Sequence, residues 1–252
     1  YQAALVGQIL CPIFLWVNKM PEIERLFLTV DEALDAVRCD FAQYASQFNL
    51  LSVIWPMVFG DGAYVLRDAH SRSIWAKMSG NTKLIPSSEA DLKQRIMDCL
   101  DRYTPDPQHL ARICSRVFGA PVEAGPGPIA GTSSGIWIDT GMADFVCSQC
   151  GRCCLTLNYH DGCSVGDYQR WQDLGRTDIL DWVGTVRQKG RVTACRIWVA
   201  PGTNDFAETC PWLARSPDPN RYVCTIHDVR PTICRQYPGS RKHARMTGCG
   251  GV

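Results

Sequence analysis

The sequence predicts an α+β protein in two parts. The first is an N-terminal helix plus an antiparallel meander, and the second is a mainly helical and irregular, cysteine-rich metal-binding region. Three observations predict this. Apolar residues recur at helical spacing behind capping signals at Thr29 and Ser88. Short runs rich in β-branched and aromatic residues, separated by Gly and Asp, fill the stretch between them. Ten of the 14 cysteines lie after residue 140. A chain of 252 residues accommodates one large domain or two ordinary ones.

Taken in order, the apolar run Leu5–Val17 has no basic residues before it and is too short to span a bilayer, so no secretory signal or integral membrane segment is expected. Thr29 and Glu32 have the spacing of a capping box, and Leu34, Val37, Phe41, Tyr44, Ala45 and Phe48 follow on one face. A helix is therefore expected over about 31–47. Leu50–Phe59 reads as a strand from its β-branched and aromatic content. Gly60-Asp61-Gly62 turns the chain into a returning strand, Ala63–Arg67. Ser73–Met78 and Lys83–Ile85 read as a third and a short fourth strand. Ser88 and Asp91 open a helix to about Tyr103, Pro105-Asp106-Pro107 ends it, and another runs to about Phe118. Residues 1–118 thus form an α+β module without a phosphate-binding glycine loop, an HExxH motif or a nucleophile elbow. Its His70 and His109 stand alone and read as surface residues.

Residues 119–135 are dense in Gly, Pro and Ser and read as a linker. Gly135–Thr140 reads as a short strand leading into the cysteine-cluster metal-binding domain, 136–252. There, Asp167–Trp182 has helical character broken at Gly175 and reads as a helix–turn–helix cover over the site, shielded by Trp171, Trp182, Trp198 and Trp212.

Charge divides along the chain. Residues 1–146 hold 12 Lys and Arg against 16 Asp and Glu, whereas 147–252 hold 14 against 9. Thiolates concentrate negative charge, and nearby cations offset it. With a net charge of only +1, nucleic acid is not expected as a partner. A dense cysteine pattern without a secretory signal points to a reducing cytoplasm and to metal or redox chemistry rather than disulfides.

Cys11, Cys39, Cys99 and Cys114 sit in apolar stretches and read as small buried hydrophobes. The metal signal is Cys147-Ser-Gln-Cys150-Gly-Arg-Cys153-Cys154. Thiolates two residues apart can converge on one metal or cluster, and Gly151 lets backbone approach it closely. On a helix, Cys147, Cys150 and Cys154 would share a face, with Cys153 turned about 100° from Cys154. Adjacent cysteines then belong to two neighbouring sites, or one of them stands outside the ligand set. The remaining candidate ligands are Cys210, Cys224, Cys234 and Cys249, which bring the total to eight. Cys195 reads as buried core, and Cys163 is undecided. His227 reads as a hydrogen-bonding group, with His160 and His243 weaker candidates still. Arg230 and Arg235 are placed to hydrogen-bond or neutralise thiolates, and Pro231 and Pro238 fix turns around Cys234.

CSQCGRCC, CPWL and CTIHDVRPTICRQYP together resemble the YkgJ-type cysteine-cluster family, also described as a zinc- or iron-chelating domain. The resemblance covers about residues 145–249. It implies metal ligation by Cys147, Cys150, Cys153, Cys154, Cys210, Cys224 and Cys234, with Cys249 as the eighth. His227 stands where the family often has Tyr. Members are described as Fe–S oxidoreductases or metal chelators, and flagellin lysine N-methylase carries a similar cluster. The resemblance says nothing of residues before 140.

Three cysteines at two-residue intervals stand nearer to a ferredoxin run than to the paired CxxC of structural zinc, so an iron–sulfur cluster, of [4Fe-4S] type and one or two in number, is preferred to zinc. Three functions follow. The chain is an iron–sulfur protein in electron transfer, served by a redox partner protein. Or it is a cluster-dependent oxidoreductase or modifying enzyme with substrate beside the cluster. Or it is a zinc- or iron-chelating structural or metal-handling protein with a partner-binding N-terminal domain.

Overall fold

In a computed structural model that describes residues 25–44, 46–128, 134–143, 145–157 and 159–251, the chain forms two units that divide between Gly141 and Met142. Cys11 and the apolar run Leu5–Val17 lie outside the described residues.

The first unit opens with β1 (Arg25–Thr29) and α1 (Val30–Gln43). Thr29 caps α1 as its sequence requires. Its hydroxyl accepts the Glu32 N–H, while the Glu32 carboxylate accepts the Thr29 N–H at 2.8 Å. Next comes α2 (Phe48–Phe59), and here the expectation of a strand over Leu50–Phe59 is overturned. Leu51, Ile54 and Trp55 are spaced to share one helical face, and all three are fully buried. Burial of that stripe outweighs the weak β-preference of individual residues. The Trp55 indole N–H reaches the Lys77 carbonyl at 2.9 Å, and Gly60, at φ +87°, ends the helix. The hairpin expected around Gly60–Gly62 therefore moves one element on. It joins β2 (Tyr64–Arg67) to β3 (Ile74–Lys77), with β4 (Ile85–Ser87) completing an antiparallel meander.

Ser88 caps α3 (Glu89–Arg102) by a second capping box, and Asp106 caps α4 (Pro107–Phe118), whose first residue is a proline suited to that position. The Gly/Pro-rich stretch after α4 is more than a connection. It contributes β5 (Val122–Gly125), which pairs with β6 (Gly135–Asp139). Composition hides β5 because a three-stranded sheet, β1-β6-β5, supplies the pairing that the residues alone do not favour. Gly135 has a local reason: a Cβ there would lie 2.2 Å from the Leu28 carbonyl oxygen across the ladder. Twenty-six buried residues from all these elements except β4 and β5 form one apolar core, Cys114 among them, while Cys39 and Cys99 are half-buried.

The second unit is less regular. It contains α5 (Arg152–Thr156), α6 (Val165–Asp173), α7 (Thr177–Leu180), α8 (Thr232–Gln236) and α9 (Arg241–Met246). It also contains two hairpins beyond the helical and irregular structure expected. They are β7 (Val183–Gln188) with β8 (Arg191–Ile197), and β9 (Leu213–Arg215) with β10 (Tyr222–Cys224). The first turns at Lys189-Gly190, both at positive φ, which is the two-residue connection that matches strand twist. Six residues, Trp171, Ile179, Ile197, Trp198, Ile226 and Ile233, form its buried core, with Cys163, Cys210, Cys224 and Cys234 packed against them. Among the described residues no helix is long and apolar enough to cross a membrane.

Candidate metal centre

The first thiols stand on a loop, not a helix. Phe145–Cys150 has no regular structure, and α5 begins only at Arg152. Gln149 and Gly151 both take left-handed conformations, φ +56° and +67°, so the chain bends on either side of Cys150. A Cβ on Gly151 would meet the Tyr222 ring at 2.6 Å, which makes glycine obligatory there for packing as well as for φ. The shared helical face proposed for Cys147, Cys150 and Cys154 is thus replaced by a loop followed by one and a half helical turns.

Backbone hydrogen bonds then bring the later segments to this loop. The Tyr222 N–H donates to the Gln149 carbonyl at 2.8 Å, placing β10 and its last residue, Cys224. The Cys210 N–H donates to the Cys154 carbonyl at 3.0 Å. Pro231 precedes α8, whose first turn carries Cys234. The Cys249 N–H closes on the Ala244 carbonyl at 2.8 Å, and the glycines behind it lie flat on the loop: a Cβ on Gly251 would be 2.6 Å from the Val146 carbonyl oxygen.

All eight thiols named from the sequence fall into one network with two neighbourhoods. In one, Cys249 faces Cys147, Cys150 and Cys153. In the other, Cys154 touches Cys210 and faces Cys224, Cys234 faces Cys154, Cys153 and Cys224, and Cys153 faces Cys224 as well. The adjacent Cys153 and Cys154 join the two, with their sulfurs 3.8 Å apart. The first neighbourhood is the more open, since Cys147 is exposed. Among the described residues no three His, Cys, Asp or Glu side chains converge on a position for a single metal ion.

The electrostatics differ between the two. Burial pushes the Cys150 thiol up, but the Gly250 and Arg152 N–H groups and the Ser148 hydroxyl outweigh it, and the thiol sits below its ordinary value. For Cys153 the Cys154 sulfur, then burial, raises the thiol. Cys154 gains from the hydrogen bond with Cys153, yet contact with Cys210 and burial lift it to about 12. Burial also raises Cys224 and Cys234, with Arg230 opposing it at both. Several thiols crowded together cannot all ionise unless a cation joins them.

Five buried side-chain polar atoms among the described residues lack a hydrogen-bond partner, and three belong to this neighbourhood: Tyr159 Oη, Trp212 Nε1 and Arg230 Nε. Tyr159 is surrounded by Cys153, Cys234 and Cys154, and Trp212 packs in the cluster with Cys210, Cys224 and Cys234. Unpaired buried donors are rare and cost about 1–3 kcal/mol each. Three of them gathered around thiols fit a set of sulfur anions as acceptors. A cavity of about 230 Å³ adjoins them, with Cys153, Cys154, Cys210 and Cys234 on one side and Trp198 and the stacked rings of His160 and Phe206, 3.9 Å apart, on another.

The other sequence candidates are placed differently. His227 is exposed and its Nε2 meets the Arg230 guanidinium. Arg235 is turned to Thr232 Oγ1, at 3.0 Å, and to Asp167, at 3.5 Å, rather than to a thiol. Cys163 and Cys195 are partners of each other across an antiparallel bridge, and Cys195 is buried. Sequence reasoning missed Tyr159 and Asp167. Asp167 is buried and accepts from Thr232 N–H and Oγ1 at 3.0 and 2.8 Å, anchoring α8, and its only signal is the Ser164–Asp167 capping box.

Residues 146–250 match the family model described as "CxxCxxCC: Putative zinc- or iron-chelating domain". This region is similar to a CxxCxxCC domain. The CxxCxxCC domain accounts for all eight networked cysteines, and residues before 146 lie outside the match. No curated protein matches the chain, and no solved structure does. The family description specifies chelation of zinc or iron, and the thiol-rich donor set of this domain is chemically suited to both.

Proposed function

We propose that the CxxCxxCC domain is an iron–sulfur module acting in electron transfer or as the redox component of an oxidoreductase. One observation carries this reading. Eight thiols form one network: Cys249 faces Cys147, Cys150 and Cys153, while Cys154, Cys210, Cys224 and Cys234 gather as a second neighbourhood that Cys153 also faces, and partnerless buried donors lie beside it. Four thiolates are the complement of one [4Fe-4S] cluster, which when bound accepts and releases single electrons. The side chains around it set the conditions for that exchange. Arg230 offsets thiolate charge at Cys224 and Cys234. Tyr159 and Trp212 offer O–H and N–H groups to sulfur, and backbone N–H groups do so at Cys150. Trp171 and Trp198 keep water from the second group. The thirteen described cysteines, all unbridged, suit a reducing cytoplasm.

A second reading has its own observation. In tetrahedral zinc with Zn–S near 2.3 Å, ligand sulfurs lie about 3.8 Å apart, the separation of the Cys153 and Cys154 sulfurs. Zinc would make the domain a structural or metal-handling element, with the first unit left to bind a partner. Iron, zinc and acid-labile sulfide analysis of anaerobically purified protein decides between them. The iron–sulfur reading expects a brown protein with equimolar iron and sulfide that bleaches with dithionite. A colourless protein holding zinc without sulfide would sink it.

A further inference from the structure

The more open group of thiols is set in a surface of one sign. No acidic residue occurs between Phe145 and His160, and none follows Asp228. These are the two stretches that build that group. Arg241 and Arg245 are four residues apart on α9, hence on one face, while His243 and Ala244 turn inward. The helix ends at Met246, and Cys249 is tied to it through the Ala244 carbonyl. Arg152 lies against the same turn: a Cβ on Gly248 would touch its guanidinium at 2.8 Å. All three arginines are exposed, and none forms an ion pair with a described residue. Five other arginines of the domain pair with acids, Arg176 with Asp178 and Arg196 with Asp161 among them. Two apolar side chains project beside the cations, Val146 at 74% exposure and Met246 at 49%.

We infer that this face, centred on exposed Cys147 and framed by Arg152, Arg241 and Arg245, is the docking surface for an acidic one-electron carrier protein. The inference rests on the iron–sulfur reading and adds to it where the electron enters and what kind of partner brings it. One electron would leave the carrier's prosthetic group and pass to the iron centre that Cys147, Cys150 and Cys249 would help to hold, with no proton or leaving group involved. A few unpaired cations around a small apolar spot match a transient encounter of low area, fast on-rate and weak affinity. Three arginines on a chain of net charge +1 are too few for a nucleic-acid footprint.

The test uses the metal-loaded full chain and stopped-flow reduction by two donors, an acidic [2Fe–2S] ferredoxin and methyl viologen radical cation. The rate with ferredoxin should fall as salt rises, and R241E/R245E should lower it by about tenfold or more at low ionic strength, the gap closing at high salt. Methyl viologen should reduce both proteins at comparable rates, and metal content and midpoint potential should be unchanged in the variant. Arginines that only offset thiolate charge would instead shift the potential or the metal content, which would overturn the inference. So would a ferredoxin rate indifferent to salt and to charge reversal, or variant-sensitive binding to duplex DNA or anionic phosphatidylserine vesicles in place of ferredoxin. A protein that neither donor reduces would overturn the iron–sulfur reading itself, and this inference with it.

Discussion

The two units are of similar length and are held together differently. Among the described residues the first buries twenty-six in one apolar core, and the second buries six. In the second, cysteine sulfurs occupy positions beside that core that aliphatic side chains fill in the first. Apolar burial contributes about 1.5–3 kcal/mol per large side chain, and conformational entropy opposes it at every residue. The first unit meets that cost by burial. Among its described residues the second unit has far less buried apolar surface, and on the proposed reading ligation of thiolates drawn from five separated segments supplies the difference. On that reading one region is folded by what it excludes from water, the other by what it binds.

The strongest way to break this comparison is to remove the metal. Chelation under reducing conditions should abolish the cooperative unfolding transition of the second unit and leave that of the first in place, as followed by calorimetry and by proteolysis at Met142–Val252. Retention of both transitions in metal-free protein would show that the small core suffices.

A smaller effect should come from Asp167→Asn. In the wild-type protein both carboxylate oxygens accept hydrogen bonds, from Thr232 on one side and Ser164 on the other, and Arg170 pairs with the acid at 3.3 Å. The amide would turn an N–H₂ toward the Ser164 donors or the Thr232 donors and leave the cations unmatched. A cost of about 3 kcal/mol is expected. Because α8 carries Cys234, the loss should also appear as faster metal release to a chelator, and an unchanged release rate would separate the anchor from the site.

The smallest expected effect sharpens the comparison by pH. Burial lowers His243 from its ordinary value near 6.5 to about 4. The unfolded chain then binds a proton that the folded one resists, so stability is full above about pH 6.5 and is lost as pH falls toward 4, by at most about 3 kcal/mol. His243→Phe should flatten that part of the second unit's stability profile relative to wild type, and the first unit's profile should not change.

How far the sequence could be read depended on range. Capping boxes at Thr29 and Ser88, the proline-started helix at Pro107 and the break at Gly175 were legible because each is a contact among neighbours in the chain. The metal-binding character of the domain was legible for the same reason, since thiols at two-residue spacing advertise it locally. The helix over Phe48–Phe59 and the strand Val122–Gly125 were not, because a buried face in one case and strands β1 and β6 in the other select the conformation from outside the segment. Nor could the sequence place Cys153 and Cys154 against Cys224 and Cys234 or find the donor at Tyr159, which faces thiols from two distant segments. Residue types and their spacing determined that this protein gathers thiols for a metal; only the tertiary structure decided which thiols stand together, because long-range hydrogen bonds and close glycine contacts bring remote segments into reach.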